Sequence, residues 1–170
     1  MEKISQQCVK RNKYMNVTRQ MTASAKLAKH KMLLVDDDPA IRQILCHLLV
    51  EEGYLVLTAA NGVEAVELAK ATKFDLVLLD LSMPGKDGWE TFKQLSTENP
   101  LLPIILMTAR PNQLFPALAA GVGALLEKPL DFAKLFQTIK NLLEEPVEAR
   151  LARFTKRDPV FSYILPKAQS

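Results

Sequence analysis

Long apolar runs are missing from this chain, and cysteines and aromatic residues are scarce. None of its apolar stretches approaches the roughly 20 residues of a membrane-spanning helix, so no contact with a membrane is expected. The first thirty residues also lack the apolar core of a secretory signal. Two cysteines, Cys8 and Cys46, are too few for a disulfide framework or a cysteine-based metal cluster. These absences argue against the membrane and disulfide-rich classes and favour a cytoplasmic protein.

The net charge of +3 at pH 7 conceals three segments of different sign. Residues 1–31 carry a net charge of +7, residues 32–146 carry −7, and residues 147–170 carry +3. This division predicts a basic flexible extension, an acidic folded domain and a basic, partly apolar tail, over residues 1–30, 31–145 and 146–170. Because the positive charge lies in the end segments and not on one folded face, nucleic acid is not expected as a partner.

Short apolar segments alternate with amphipathic segments through the middle of the chain. Each apolar segment is too short for a helix, and apolar residues at helical spacing follow it. The pattern predicts five strands, near residues 31–35, 54–59, 76–80, 102–107 and 124–127. Strands that alternate with helices predict a parallel sheet covered on both faces. Pro111 and Pro116 fall where the fourth helix is expected, so this helix should be short.

Two helix starts are marked by capping residues. Asp38 followed by Pro39 combines a capping carboxylate with a proline at the first helical position. Asn61 and Glu64 have the spacing of a cap with reciprocal support. We therefore assign Asp38 to the start of a helix and treat the two preceding aspartates separately.

Polar side chains stand at the carboxyl ends of four predicted strands. Asp36 and Asp37 follow the first strand, Asp80 ends the third, Thr108 follows the fourth, and Lys128 follows the fifth. The carboxyl ends of parallel strands share one edge of a sheet, where open α/β sheets bind ligands. We therefore expect three carboxylates, a hydroxyl and an amine to converge on one crevice.

Such a crevice has a defined chemistry. Three neighbouring carboxylates repel one another, and a divalent cation that prefers oxygen ligands, Mg²⁺ or Mn²⁺, relieves the repulsion. Asp80 can then stay ionised and act as an oxygen nucleophile toward phosphorus. Lys128 and Thr108 would supply the positive charge and the hydrogen-bond donor that phosphoryl oxygens need.

Four sequence blocks follow one another along the chain: Leu33–Pro39, Asp75–Gly88, Leu106–Ala109 and Glu127–Pro129. In this combination the chain resembles the response-regulator receiver domains of two-component signalling, over about residues 31–144. The resemblance implies a flavodoxin-like (βα)5 fold, a three-layer sandwich whose parallel strands lie in the order 2-1-3-4-5. Because only 24 residues follow Pro146, we expect a stand-alone receiver of the single-domain type.

The resemblance implies a phospho-accepting switch whose phosphoryl donor is a histidine kinase or a phosphotransfer protein. Asp80 would be the phospho-acceptor, and Thr108 and Lys128 would hold the phosphoryl group. Such a protein is not an enzyme in the ordinary sense, because it catalyses only its own phosphorylation and dephosphorylation.

The resemblance also implies the metal ligands. Asp36, Asp37 and Asp80 would bind Mg²⁺ or Mn²⁺, with Asp37 as the direct ligand of the acidic pair. Ser82 would contribute its backbone carbonyl. The protein would act as a monomer or weak dimer.

One position departs from the family pattern. Leu125 stands where receivers carry an aromatic residue that turns inward on phosphorylation, so the output face is expected to change less or differently.

Ser82 and Arg110 lie two residues beyond Asp80 and Thr108, at positions that in receivers flank the path of the attacking water. We expect the bulky cation Arg110 to slow or redirect hydrolysis.

Three alternatives share part of this pattern. A haloacid-dehalogenase-type phosphatase also uses a strand-tip Asp-x-Asp, here Asp36 and Asp38, but would leave Asp80 without a role. A pseudo-receiver would bind proteins without being phosphorylated, which is compatible with Leu125. A DNA-binding regulator would need a helix-turn-helix domain, and the 24 residues after Pro146 are too few for one. We therefore expect the output to pass through a downstream protein that the sequence does not identify.

Overall fold

The computed structural model describes residues 30–83, 88–110, 112–155 and 161–166 of the 170-residue chain. The elements are β1 (Lys31–Val35), α1 (Pro39–Glu51), β2 (Leu55–Ala59), α2 (Gly62–Ala71), β3 (Leu76–Asp80), α3 (Gly88–Glu98), β4 (Ile104–Thr108), α4 (Leu114–Ala119), β5 (Ala124–Glu127), α5 (Phe132–Glu144), α6 (Val147–Thr155) and β6 (Ser162–Ile164). The strands form one parallel sheet in the order β2-β1-β3-β4-β5-β6. The predicted flavodoxin-like order 2-1-3-4-5 is confirmed, with one strand added. Residues 1–29 of the predicted extension lie outside the described residues.

The central strands are buried because their side chains are apolar toward both faces of the sheet. Every residue of β3 and β4 is buried. Alternate side chains enter two apolar clusters, one on each face. This two-sided burial is typical of a parallel sheet with helices on both faces.

The pairing of the strands brings their carboxyl ends to one edge of the sheet. Asp80 on β3 lies in register with Met107 on β4, and Thr108 on β4 lies in register with Glu127 on β5. The predicted site residues at these strand ends are therefore neighbours in space.

Capping residues start the first two helices as predicted. Oδ1 of Asp38 accepts a hydrogen bond from the backbone N–H of Ala40 at 2.8 Å. Asn61 accepts one from the backbone N–H of Glu64 at 2.9 Å, and the Glu64 side chain accepts one from a backbone N–H at 2.8 Å. These bonds satisfy backbone donors at the ends of α1 and α2, so Asp38 serves α1.

The fourth helix is short, as its prolines predicted. It spans six residues and contains Pro116. The chain leaves it through Gly121, whose φ of 71° lies in the left-handed region that glycine adopts without strain.

The segment after residue 146 adds two elements to the fold. Arg150 connects helix α6 to α5, because its guanidinium donates to the carbonyl oxygen of Leu142 at 3.1 Å. Strand β6 pairs with β5 and was not predicted, because three residues are too few for a recognisable alternation. Within the described ranges, none of the helices is long and apolar enough to cross a membrane.

Candidate functional site

Asp80 and Lys128 are in contact at the carboxyl end of the sheet. Asp80 is the last residue of β3 and is 3% exposed, and Lys128 directly follows β5. Nζ of Lys128 donates to Oδ2 of Asp80 at 2.7 Å, and the backbone N–H of Ser82 donates to Oδ1 at 2.8 Å. Each carboxylate oxygen of Asp80 therefore has a donor, which fixes the carboxylate at the strand tip.

Asp36 lies fully buried beside this pair. Nζ of Lys128 donates to its Oδ2 at 3.0 Å, and the backbone N–H of Asp38 donates to its Oδ1 at 2.9 Å. Burial raises the pKa of Asp36, because the hydrogen bond and charge of Lys128 compensate the loss of hydration only in part. The negative charge of Asp80 raises it further. A carboxyl group whose pKa is shifted by burial and by specific charged partners is typical of a functional site.

Lys128 links the two carboxylates. Burial by itself would lower the pKa of this amine, but the hydrogen bonds and negative charges of Asp80 and Asp36 outweigh burial and raise it. Lys128 therefore stays protonated at neutral pH and supplies a fixed positive charge at the strand ends.

Three carboxylates meet in this site, and they suit a divalent cation. Carboxylate oxygens of Asp36, Asp37 and Asp80 lie within 4.8 Å of one another. Asp36 and Asp80 are buried, whereas Asp37 is exposed, so the cluster is open to solvent on the side of Asp37. Mg²⁺ prefers oxygen ligands and usually keeps several waters, and an open cluster of carboxylates provides for both. The residues present therefore fit the predicted metal.

Thr108 lies at the same edge, but its hydroxyl is bonded within its own loop. The backbone N–H of Arg110 donates to Oγ1 of Thr108 at 2.9 Å. The backbone N–H of Lys128 donates to the carbonyl oxygen of Thr108 at 2.8 Å. The structure thus brings Asp36, Asp80 and Lys128 into direct contact and places Thr108 next to them, with its hydroxyl on Arg110.

Arg42 and Gly88 support the site in ways that the sequence analysis did not identify. Nη1 of Arg42 donates to the carbonyl oxygen of Asp36 at 2.6 Å and so holds the backbone of the acidic pair. A Cβ atom at Gly88 would lie 2.5 Å from Cα of Leu81 and 2.8 Å from the carbonyl oxygen of Asp80. Glycine is therefore required where α3 begins against the end of β3. The sequence feature that indicates this role of Arg42 is the position of a cationic residue one helical turn after Asp38.

The start of α3 and the residue before α4 are joined by a side-chain hydrogen bond. Nε1 of Trp89 donates to Oε1 of Gln113 at 2.9 Å, which connects the start of α3 with the residue before α4. The ring of Trp89 also meets Phe92 edge to face, with centroids 5.8 Å apart. This bond therefore connects α3 with the start of α4.

Comparison with known proteins indicates the same class of protein as the geometry of the site. The family model "Response regulator receiver domain" matches residues 32–140. The chain is 36% identical over 145 residues to the transcriptional regulatory protein GlrR of Escherichia coli (strain K12). That similarity covers 81% of this chain and 32% of GlrR. It is also 32% identical over 137 residues to the alkaline phosphatase synthesis transcriptional regulatory protein PhoP of Bacillus subtilis (strain 168). That similarity covers 79% of this chain and 57% of PhoP.

A solved structure agrees with these matches. The response regulator protein TrrA of Thermotoga maritima, in complex with Mg²⁺-BeF, has a TM-score of 0.62 and 34% sequence identity to this chain. The similarity covers 66% of this chain and 98% of the TrrA chain.

The chain belongs to the response regulator receiver domain family. It is therefore a phospho-accepting signalling module of two-component systems, as predicted, and not a member of a classical enzyme family. None of the matches favours the phosphatase or the pseudo-receiver. The chain spans about a third of the length of GlrR and over half of PhoP, so the activities of those whole proteins are not transferred to it. The stand-alone type stays a prediction.

Proposed function

We propose that this chain is a Mg²⁺-dependent switch that accepts a phosphoryl group on Asp80. The observation that carries the proposal is the position of that carboxylate at the tip of β3. It lies 2.7 Å from Nζ of Lys128 and within 4.8 Å of carboxylate oxygens of Asp36 and Asp37. A nucleophile, a fixed cation and a candidate metal cluster thus share one small volume, which is the arrangement that phosphoryl transfer needs.

In the proposed transfer, a carboxylate oxygen of Asp80 attacks the phosphorus atom of the donor. A bond from phosphorus to Asp80 forms, the bond from phosphorus to the leaving group breaks, and its electron pair departs with that group. The Lys128 ammonium offsets the negative charge that the phosphoryl oxygens bring. The Thr108 hydroxyl donates to the carbonyl oxygen of Arg110 at 3.4 Å and can donate to a phosphoryl oxygen instead.

We assign the metal site to Asp36, Asp37 and Asp80, with the backbone carbonyl of Ser82 as a further ligand. These oxygens would hold Mg²⁺, and Mn²⁺ suits the same ligands; a bound ion would offset the negative charge of the carboxylates and of the incoming phosphoryl group. Two observations support the assignment. Carboxylate oxygens of the three aspartates lie within 4.8 Å of one another, and Asp37 is exposed and accessible to an ion.

We further propose a histidine kinase or a phosphotransfer protein as the donor, since these are the donors in two-component signalling. We propose the cytoplasm as the location of this chain. We propose that output passes through a separate protein partner and that the receiver acts as a monomer or weak dimer. Nucleic acid is not among the proposed partners, although the names of GlrR and PhoP call those proteins transcriptional regulators.

The test is intact-mass spectrometry of the full chain after incubation with Mg²⁺ and acetyl phosphate. We expect the mass of one added phosphoryl group, its loss in Asp80→Asn, and its loss when EDTA removes the metal. Asp75→Asn is the matched control, because Asp75 lies just before β3 at the opposite end of the same strand. An unmodified wild-type chain that still binds Mg²⁺ would instead identify a pseudo-receiver, and label on Asp80→Asn would place the acceptor elsewhere.

A further inference from the structure

The outer edge of β5 is covered by β6. Ser162–Ile164 pair in parallel with residues 124–126, and Tyr163 lies opposite Leu125. The three residues of β6 are only half-buried, whereas every residue of β3 and β4 is buried. A strand this short and this exposed can separate from the sheet at a small fraction of the cost of global unfolding.

A side-chain hydrogen bond ties β6 to the functional end of β5. The hydroxyl of Tyr163 donates to Oε1 of Glu127 at 2.6 Å. Glu127 is the last residue of β5, directly precedes Lys128, and lies in register with Thr108 on β4. Tyr163 is thus bonded to a residue that neighbours both groups proposed to hold the phosphoryl oxygens.

The face of the sheet that carries Tyr163 is also the face of Thr108. Tyr163, Leu125 and Leu106 lie in register across three strands, and Glu127 and Thr108 form the next such row on the same face. Tyr163 packs against the apolar cluster on this face, which also receives side chains of α4. Thr108 therefore lies on the same face of the sheet as the residues against which Tyr163 packs.

We propose that β6 is a strap that covers the edge of β5 in the unphosphorylated protein and is loosened when Asp80 gains a phosphoryl group. This inference rests on the function proposed above. In the described structure the Thr108 hydroxyl is bonded to Arg110, and the contacts of Tyr163 are made with that arrangement. These contacts stabilise the unphosphorylated arrangement relative to one in which Thr108 binds a phosphoryl oxygen. Because such coupling is reciprocal, weakening the strap favours phosphorylation.

Amide hydrogen exchange of the full chain tests the proposal, with Mg²⁺ and beryllofluoride as the probe. We expect the amides of residues 162–164 to exchange at least about fivefold faster when the probe is bound, the lower limit of typical coupling between sites. The amides of residues 80–82 report binding of the probe in the same experiment. If they change while those of residues 162–164 do not, the strap is disproved and the proposed function stands. If neither set changes, both proposals fail.

Tyr163→Phe isolates the hydrogen bond, because it removes the hydroxyl and keeps the ring. We expect faster exchange at residues 162–164 without the probe, a smaller response to the probe, and faster phosphorylation by acetyl phosphate. Tyr54→Phe is the matched control, since Tyr54 precedes β2 at the opposite edge of the sheet. A Tyr163→Phe chain that matches wild type in both exchange and phosphorylation rate overturns the proposal.

Discussion

Nζ of Lys128 lies 2.7 Å from Oδ2 of Asp80. Asp80 ends β3 and Lys128 follows β5, and β4 lies between these two strands. The side chain of Lys128 therefore reaches across the end of β4. The same nitrogen donates to Asp36 at the end of β1, at 3.0 Å. One amine thus connects three strand ends and compensates two carboxylates that are almost fully buried.

We predict that Lys128→Met lowers the free energy of unfolding by about 3–5 kcal/mol in the absence of metal. Removal of the amine leaves buried carboxylates without their cation, and breaking a buried ion pair typically has this cost. Lys134→Met is the control, because Lys134 is 3.8 Å from Asp131 on an exposed surface and should contribute about 1 kcal/mol or less. Urea denaturation of the three chains provides the measurement. Equal stability of the two variants would show that Lys128 does not compensate these carboxylates.

A second prediction concerns the three consecutive aspartates. Asp36→Asn and Asp37→Asn should each weaken Mg²⁺ binding at least about tenfold, a loss that even partners outside the ligand shell can cause. Asp38→Asn should leave the affinity unchanged, because asparagine caps a helix as well as aspartate does. Trp89, the single tryptophan of the chain, follows the Asp80 loop, so its fluorescence can follow the titration. Equal losses in all three variants would contradict the assignment of Asp36 and Asp37 to the metal site.

Much of the fold could be predicted because strong local signals agreed with one another. Four of the five apolar segments ended on polar residues, and parallel pairing left only one edge where those residues could meet. Asp38 could be assigned to a helix start because proline followed it, and the structure places its carboxylate on the first turn of α1. Pro111 and Pro116 correctly predicted a short α4.

The remaining features depend on contacts that local sequence patterns do not record. Strand β6 has three residues and is specified by its pairing with β5, and Tyr163 finds Glu127 across 36 positions of sequence. The hydroxyl of Thr108 bonds to Arg110, and the sequence does not show which of the nearby donors and acceptors this hydroxyl contacts. Leu125 departs from the aromatic of the family, and the structure places an aromatic, Tyr163, directly beside it on the next strand.

A third prediction concerns the lifetime of the phosphorylated state. Arg110 is exposed, two residues beyond Thr108, and its backbone N–H holds the Thr108 hydroxyl. We expect Arg110→Ala to dephosphorylate faster than wild type, because a bulky cation no longer obstructs the approach of water, while the backbone bond is kept. The decay of the phosphorylated mass after removal of the donor gives the rate. Lys93→Ala, on α3, is the surface control, and an unchanged rate in Arg110→Ala would exclude the obstruction.

The last prediction is a pH dependence that belongs to Tyr163. Its hydrogen bond to the Glu127 carboxylate raises its pKa, with smaller contributions from burial and from the charge of Glu127. Because the folded-state pKa lies above the unfolded value of about 10, the stabilisation is complete below that pH. It is lost as the pH rises through the folded-state pKa, where the phenol becomes a phenolate and can no longer donate.

We therefore expect the difference in unfolding free energy between wild type and Tyr163→Phe to be constant from neutral pH to about 9, and then to shrink. The difference in phenolate absorbance between the two chains isolates the titration of Tyr163 from that of Tyr14 and Tyr54. A Tyr163 that titrates at or below its usual value would show that the bond to Glu127 does not form in solution. The strap would then be held by backbone pairing and ring packing alone, and a change at Thr108 would have no side-chain route to β6 through Glu127.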